Sequence, residues 1–354
     1  MNNFAFDKKN YLLLAIGMLI IIVGFILMSG SGSSEGVFNP DIFSVRRIRV
    51  APVVCLFGFV FIIFAIMDVA EGDPVYSVVS ADASEEEIQA AREEMGLTGS
   101  LFERYFNYVK GMLHGDLGTS YVSKRDVMET YLTRLPNTLK LASVTMIVAL
   151  GISIPLGIVA AVNQNSIKDT VSMILALLGL SMPNFWLGLL LILLFSLKLG
   201  LFPSSGSEGI KSIVLPAVAL GFNHMASIAR TTRSSMLETI RQDYIRTVRA
   251  KGVAYGVVIR KHALKNALIP TITVIGLQIG YMLGGSVLTE TVFAWPGVGR
   301  LMVDSINGRD IPMVMGCIIL VCATFSVVNL VVDILYGMVD PRIKSQYKSG
   351  GKSK

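Results

Sequence analysis

Charge, histidine and cysteine are all scarce in this chain. Only 16% of its 354 residues are Asp, Glu, Lys or Arg, against roughly 25% in an ordinary soluble domain. The three histidines, His114, His224 and His262, lie too far apart to suggest a metal cluster. The three cysteines, Cys55, Cys317 and Cys322, each sit inside an apolar segment. They read as small buried hydrophobes, not as disulfide partners or metal ligands. No spacing nominates a Ser–His–Asp or Cys–His arrangement, so no catalytic residues are expected. A P-loop needs Gly, four residues, then Gly-Lys-Ser/Thr. The tail offers Gly351-Lys352-Ser353, but Gln346 stands where the first glycine belongs. The chain therefore reads as neither an enzyme nor a nucleotide binder, and as holding no cofactor of its own.

Apolar residues are abundant, at 53%, and the mean hydropathy is +0.62. That balance indicates several membrane spans. The net charge is +6. The positive residues fall in alternate loops, which is a topology signal and not a nucleic-acid footprint.

The most informative stretch runs from Asp243 to Pro270. Between Arg230 and Lys265 stand nine basic residues against Glu238 and Asp243. A charge at the bilayer centre costs roughly 2.5 to 3.5 kcal/mol, so the segment reads as a loop, and short basic loops stay in the cytoplasm. Tyr244 to Lys251 reads as a short helix stopped at Gly252 by a left-handed cap. Val257 to Leu268 reads as a second, with Pro270 opening the next apolar span. A merely solvated, topology-setting loop would carry the same charge.

Tyr11 to Met28 is an apolar run of 18 residues, compatible with a secretory signal or an uncleaved extra span; the second is the preferred reading. Gly30 to Gly36 is a flexible linker. The next span is Val50 to Met67, behind Arg46, Arg47 and Arg49. Asp68 to Leu135 carries thirteen acidic residues against six basic ones and reads as the translocated side. Ser84 with Glu87, and Ser100 with Glu103, form capping boxes. Gly96 stops the first of these helices. The second places Phe102, Phe106 and Val109 on one stripe, beside Tyr105, Met112 and Leu113. It would lie on the membrane surface or pack on the neighbouring loop.

Further spans are expected at Asn137–Val162, Thr170–Leu197, Ser212–Ala229, Ala267–Leu288 and Pro312–Met338. The second of these is broken at Pro183, so Asn184 and Trp186 would line a path or sit at a packed kink. Asn223 and His224 fall inside a weakly apolar span, where a lone histidine is usually a hydrogen-bonded packing group. Gly276, Gly280 and Gly284 form a ridge for close helix approach. Thr271, Val274, Gln278, Tyr281 and Gly285 form another stripe. Gln278 and Tyr281 are costly against lipid, so they would face a water-filled path or bond between helices. Glu290 to Ile311 reads as a folded hairpin near the outer mouth. Asn329 and Asp333 lie one turn apart near the inner end of the last span. The count is seven spans, with the first end outside and every strongly basic loop inside.

Several strings resemble one family. Tyr244, Arg246-Thr247, Arg249-Ala250-Lys251-Gly252, His262-Ala263-Leu264, Asn266-Ala267-Leu268 and Pro270 resemble the coupling loop of ABC importer permeases of the oligopeptide/dipeptide/nickel kind. In the general version of that loop (Glu-Ala-Ala, three residues, Gly, nine residues, Ile, one residue, Leu-Pro), only Gly252 and Leu264 fit. Glu290-Thr291-Val292-Phe293 with Trp295-Pro296-Gly297-Val298-Gly299 is similar to the family's outer segment. Gly72-Asp73-Pro74, Gly115-Asp116-Leu117-Gly118, Arg134-Leu135-Pro136 and Asp340-Pro341-Arg342 are also similar to family strings.

The resemblance covers roughly Arg46 to Arg342 and implies an all-α integral membrane protein: a six-span type I importer domain plus the extra first span. It implies residues 1–45 as an addition, 46–136 as first span and outer loop, and 137–342 as the transport domain with a coupling loop at 230–266. A basic cytoplasmic tail covers 343–354. It implies a plasma-membrane subunit working with a second related permease, two cytoplasmic ATPases that hold ATP and Mg, an extracytoplasmic substrate-binding protein and membrane lipid. Residues Arg246, Arg249, Ala250, Lys251, Gly252, His262, Leu264 and Asn266 would carry the coupling. Asn184, Trp186, Gln278 and Tyr281 would line the path, and Glu290, Trp295, Pro296 and Gly297 would form the outer hairpin. A stand-alone secondary transporter or channel is the other reading; it needs coupling-ion residues deep in the spans, and few are visible.

Overall fold

The computed structural model describes residues 8–30, 39, 41, 44–69, 73–80 and 82–339. The Gly/Ser linker beyond Gly30, Glu71-Gly72, Asp340-Pro341-Arg342 and the basic tail lie outside the described residues. Among the described residues there are helices and no strand, only one isolated bridge between Thr119 and Asp126. The chain divides into two compact units, residues 1–130 with 304–319, and residues 131–303 with 320–354.

In the first unit, α1 (Lys8–Met28) and α2 (Ala51–Val69) lie against each other. Helices in lipid gain nothing from hydrophobic burial, so close packing has to hold them. Glycine supplies it. A methyl group added at Gly17 would fall 2.4 Å from Ile62, and one at Gly58 would fall 2.7 Å from Ile21. Cys55 is buried at this seam, and Cys317 is buried too, but Cys322 is exposed on its helix, contrary to the expectation for all three.

The outer segment forms α3 (Glu85–Glu94) and α4 (Leu101–Leu113). The Ser84–Glu87 capping box is complete: Ser84 Oγ accepts from the Glu87 N–H at 3.3 Å, and Glu87 Oε2 accepts from the Ser84 N–H at 2.9 Å. Ser100 accepts from the Glu103 N–H at 3.3 Å. Of the expected stripe on α4, Tyr105 and Val109 are buried against Phe61 and Phe64 of α2. The Tyr105 hydroxyl donates to Phe57 O at 2.9 Å. The helix thus packs on a span, not on a neighbouring loop, while Phe102 and Phe106 stay exposed on its flank.

In the second unit, α5 (Val127–Val162) enters and is followed by α6 (Ile167–Ser181), α7 (Asn184–Leu191) and α8 (Val214–Ile240). α5 starts ten residues before the expected Asn137 and runs through Pro136. Asp126 accepts from the Glu129 N–H at 2.8 Å and sets the earlier start. α8 is the centre. Its small residues (Ala217, Ala219, Ala226, Ala229) are buried, and neighbouring helices come close at glycines: Cβ atoms at Gly157 and Gly179 would lie 2.7 and 2.9 Å from carbonyls of α8. α8 also continues to Ile240, so Arg230, Arg233 and Glu238 sit on a helix and not in the expected loop.

Pro183 opens α7, and the α6–α7 pair bends by 107°. This is a break, sharper than a kink. The two ends of the pair reach well-separated levels of α8. α6 begins with Asp169 bonded to Arg233 near one end of α8. Past α7, Phe195 and Phe202 pack with Leu215 and Ala219 at the other end. Those positions on α8 are separated by about 27 Å of helix. Among the described residues, six single helices are long and apolar enough to span a membrane, and the number is seven if the bent pair is one span.

Candidate functional site

After α8, Asp243–Ala250 forms α9, and Gly252 takes φ +79°. That left-handed backbone suits glycine and ends the helix as expected. The next turn is α10 (Tyr255–Val257), which passes through a π-helical segment at Val258–Ala263 into α11 (Leu264–Val292). There is no helix end before Pro270. The proline lies inside α11, because in a membrane protein the backbone group it frees finds other partners and the helix goes on.

The loop is fixed on the unit by an apolar underside. Ile245 and Val248 pack with Met236, Val258, Ile259 and Ala263, against Ala161 of α5. It is also latched internally. Asn266 Nδ2 donates to the Tyr244 hydroxyl at 2.7 Å, and that hydroxyl donates to His262 O at 3.4 Å. Arg249 stacks over the Tyr255 ring at 5.7 Å. Arg246, Arg249, Ala250, Lys251, Gly252 and Asn266 are exposed; His262 and Leu264 are half-buried, Leu264 on the apolar underside. The spatial neighbours are thus a basic face around Gly252 and a Tyr244–Asn266 brace.

An ion pair beside the loop joins residues that no local pattern in the sequence connects. Asp169, buried at the start of α6, takes Arg233 through Nε at 2.6 Å and Nη2 at 2.7 Å. Asp169 also accepts from the Ser166 side of its own turn, through the Asn165 N–H at 3.0 Å. The Ser166–Asp169 capping spacing was the available signal, and it pointed only to a helix start.

In mid-span, His224 Nδ1 lies 2.6 Å from Gln278 Oε1, joining α8 to α11. Thr232 and Thr271 Oγ1 atoms are 3.5 Å apart on the same seam. Tyr281 points away from this seam and is exposed, so the expected stripe is split between two environments. Asn184 is half-buried and Trp186 exposed on α7. α7 meets α11 through Gly188, beside Phe293 and Val292, about three turns beyond Tyr281. The four path residues therefore occupy three places: Gln278 on the α8–α11 seam, Tyr281 on the exposed side of α11, and Asn184 with Trp186 on α7.

The outer segment, expected as a folded hairpin, is helix, turn and helix. α11 runs to Val292, Ala294 takes φ +48°, and α12 spans Val298–Asn307. Glu290 is fully buried. It accepts from Thr138 Oγ1 at 2.8 Å and from the Arg300 N–H at 3.1 Å, and so caps the N-terminus of α12 from a different helix. Thr138 Oγ1 in turn accepts from the Val298 N–H at 2.8 Å. Trp295 Nε1 donates to Asn137 O at 3.0 Å, and Asn137 Nδ2 donates to Pro296 O at 3.0 Å. A Cβ at Gly297 would lie 2.4 Å from the Glu290 carboxyl, so only glycine fits there. Burial pushes the Glu290 carboxyl above its usual range; hydrogen bonds from Thr138, from the Arg300 and Gly299 backbone and from Ser286 pull it back. These residues lock one end of α11 to α5.

The comparisons with known proteins agree with this architecture. Residues 153–345, more than half of the chain, match the family described as binding-protein-dependent transport system inner membrane component. Residues 42–142 match its N-terminal companion, and residues 5–70 match a family of unknown function. The dipeptide transport system permease protein DppB of Alkalihalophilus pseudofirmus is 43% identical over 84% of this chain and 98% of that protein. DppB of Escherichia coli is 40% identical over 85% and 98%. The E. coli glutathione transport system permease protein GsiC is 40% identical over 80% and 92%. Inward-facing structures of the MetNI methionine ABC transporter share the fold, with a TM-score of 0.52, 20% identity, and coverage of 60% of this chain and 97% of that chain. The chain belongs to the binding-protein-dependent transport family. It is a multi-pass inner-membrane permease of an ABC importer.

Proposed function

We propose that this permease forms half of a translocation pathway for short peptides, next to a second, related permease, and that the face around Gly252 receives two cytoplasmic ATPases. ATP and Mg would be held by those ATPases, and an extracytoplasmic binding protein would deliver the solute. The peptide class rests on the relatives, whose names specify dipeptide and di/tripeptide transport. The single observation that carries the coupling assignment is the braced loop. Arg246, Arg249, Ala250, Lys251 and Gly252 form an exposed basic face on a segment anchored beneath by Ile245 and Val248. A segment anchored in this way moves as a body when pushed, which is what transmission of an ATPase closure requires. In this reading residues 230–240 belong to the transmitting rod α8, and His262, Leu264 and Asn266 hold the loop's shape more than they touch a partner.

The test is Gly252→Trp in the complex purified through a tag on this chain. No other atom lies within 4 Å of the Cβ position at Gly252, so the indole would project from the docking face. Expected is that the ATPases are lost, or that they hydrolyse ATP without moving peptide. Wild-type coupling in this variant sinks the assignment.

A further inference from the structure

The sequence puts Asn329 and Asp333 near the inner end of the last helix, α13 (Ile311–Val339). Their neighbours place them deeper. Val332 lies over Gly276, where an added methyl would come within 2.8 Å of it, and Asn329 Oδ1 lies 2.8 Å from the same position at Gly280. Gly276 and Gly280 stand at the middle of the apolar run 267–288. Asp333 therefore lies at a level about 13 Å from the inner end of that run.

A groove of about 440 Å³ runs along this crossing of α11 and α13. It is lined by Thr273, Tyr281, Phe325, Asn329 and Asp333 among apolar neighbours. Tyr281 is 67% exposed, and Asp333 is exposed as well. Among the described residues, neither Tyr281, Asn329 nor Asp333 has a hydrogen-bond or ion-pair partner. Three unpartnered polar groups, one of them a carboxylate, do not converge on lipid. The groove lining includes one acid and no base, so its charge complement is a cation. Its volume is in the range of small-solute sites.

We propose that Asp333, with Asn329 and Tyr281, forms a transit site for the ammonium end of the transported solute. The proposal rests on the peptide-importer reading above and gives it a recognition element: the free α-ammonium group common to small peptides. Asp333 would supply the counter-charge, and the Asn329 amide oxygen and the Tyr281 hydroxyl oxygen would accept the remaining N–H bonds. One charge and two neutral acceptors bind weakly enough for the solute to leave, as a path requires.

The experiment uses the complete importer in liposomes, with Cys55, Cys317 and Cys322 replaced and Asn329→Cys introduced. Two thiosulfonates of similar size are compared, one carrying a trimethylammonium group and the other a sulfonate. A cleft of one sign concentrates its counter-ion by a factor of about ten or more, so the cationic reagent should react at least about tenfold faster. Asp333→Asn should bring the ratio to near one, and Asp333→Glu should keep it. L-alanyl-L-alanine should slow the cationic reaction, and N-acetyl-L-alanyl-L-alanine should not. If neither reagent reacts, the groove is covered by lipid or by the second permease, and the site is overturned. Equal rates for both reagents, or equal protection by both peptides, overturn it too. ATP hydrolysis stimulated by the loaded binding protein, measured in the unmodified complex, reports on the importer reading separately: its loss fells that reading, whatever the labelling shows.

Discussion

Glu290 illustrates how much one residue can organise. A carboxyl that lies against two glycines, caps α12 and holds Thr138 is not replaceable by anything shorter. Its raised pKa also sets a pH dependence. Because the folded state favours the protonated acid, this contribution is complete below the ordinary glutamate pKa and is lost as pH rises through the higher folded value. The expected outcome is a melting temperature in detergent that declines across that interval, and a flatter profile for Glu290→Gln. An unchanged slope in Glu290→Gln would assign the pH dependence elsewhere. The sequence marked Glu290, Trp295, Pro296 and Gly297 as a group, through a string of recognisable residues. Their shared purpose was hidden, because Asn137 and Thr138 lie more than 150 residues away in the chain and carry no pattern of their own.

At the level of elements, the helices were legible wherever the signal was local. Ser84 with Glu87, and Gly252 after α9, announce an end by the chemistry of the end itself. The errors cluster at proline. The expected span boundaries at Asn137 and Pro270 fall beside prolines, yet α5 and α11 run through Pro136 and Pro270. In lipid, a helix that stops leaves several unsatisfied backbone groups, and one that passes a proline leaves fewer. Pro183 does break its span, into two pieces that need an outside tie. Asp169 with Arg233 is that tie, and no periodicity in a sequence pairs residues 64 positions apart. Removing one partner of a buried ion pair typically costs about 3 to 5 kcal/mol. Arg233 keeps some contact with solvent, so Asp169→Ala is expected at the lower edge of that range. The readout is a lowered thermal midpoint by fluorescence-detected size exclusion. Asp169→Ala with Arg233→Ala together should lose less than Asp169→Ala alone. If the double variant loses more, the pair is not acting through its charges.

For the molecule as a whole, the side on which each loop lies follows from counting crossings, and the bent pair decides the parity. If α6 and α7 cross, the basic loop around Gly252 falls on the same side as Arg46, Arg47 and Arg49, in keeping with the distribution of positive charge. If they turned back, it would fall opposite. In a chain without its native cysteines, Ser205→Cys should react with a membrane-impermeant maleimide on intact cells. Lys168→Cys should react only after permeabilisation. Labelling of both from one side would make the pair a re-entrant loop.

α8 has a mechanical side as well. It is a continuous helix of about 40 Å, held near one end by Asp169 and the loop and packed at the other on the apolar cluster around Phe293. Beams of this kind magnify. A tilt of about 5° about the clamped end displaces the far end by about 3.5 Å, more than the diameter of a water molecule. A small adjustment at the loop end is therefore enlarged at the opposite end, where it bears on the packing of Leu215 and Ala219 with Phe293.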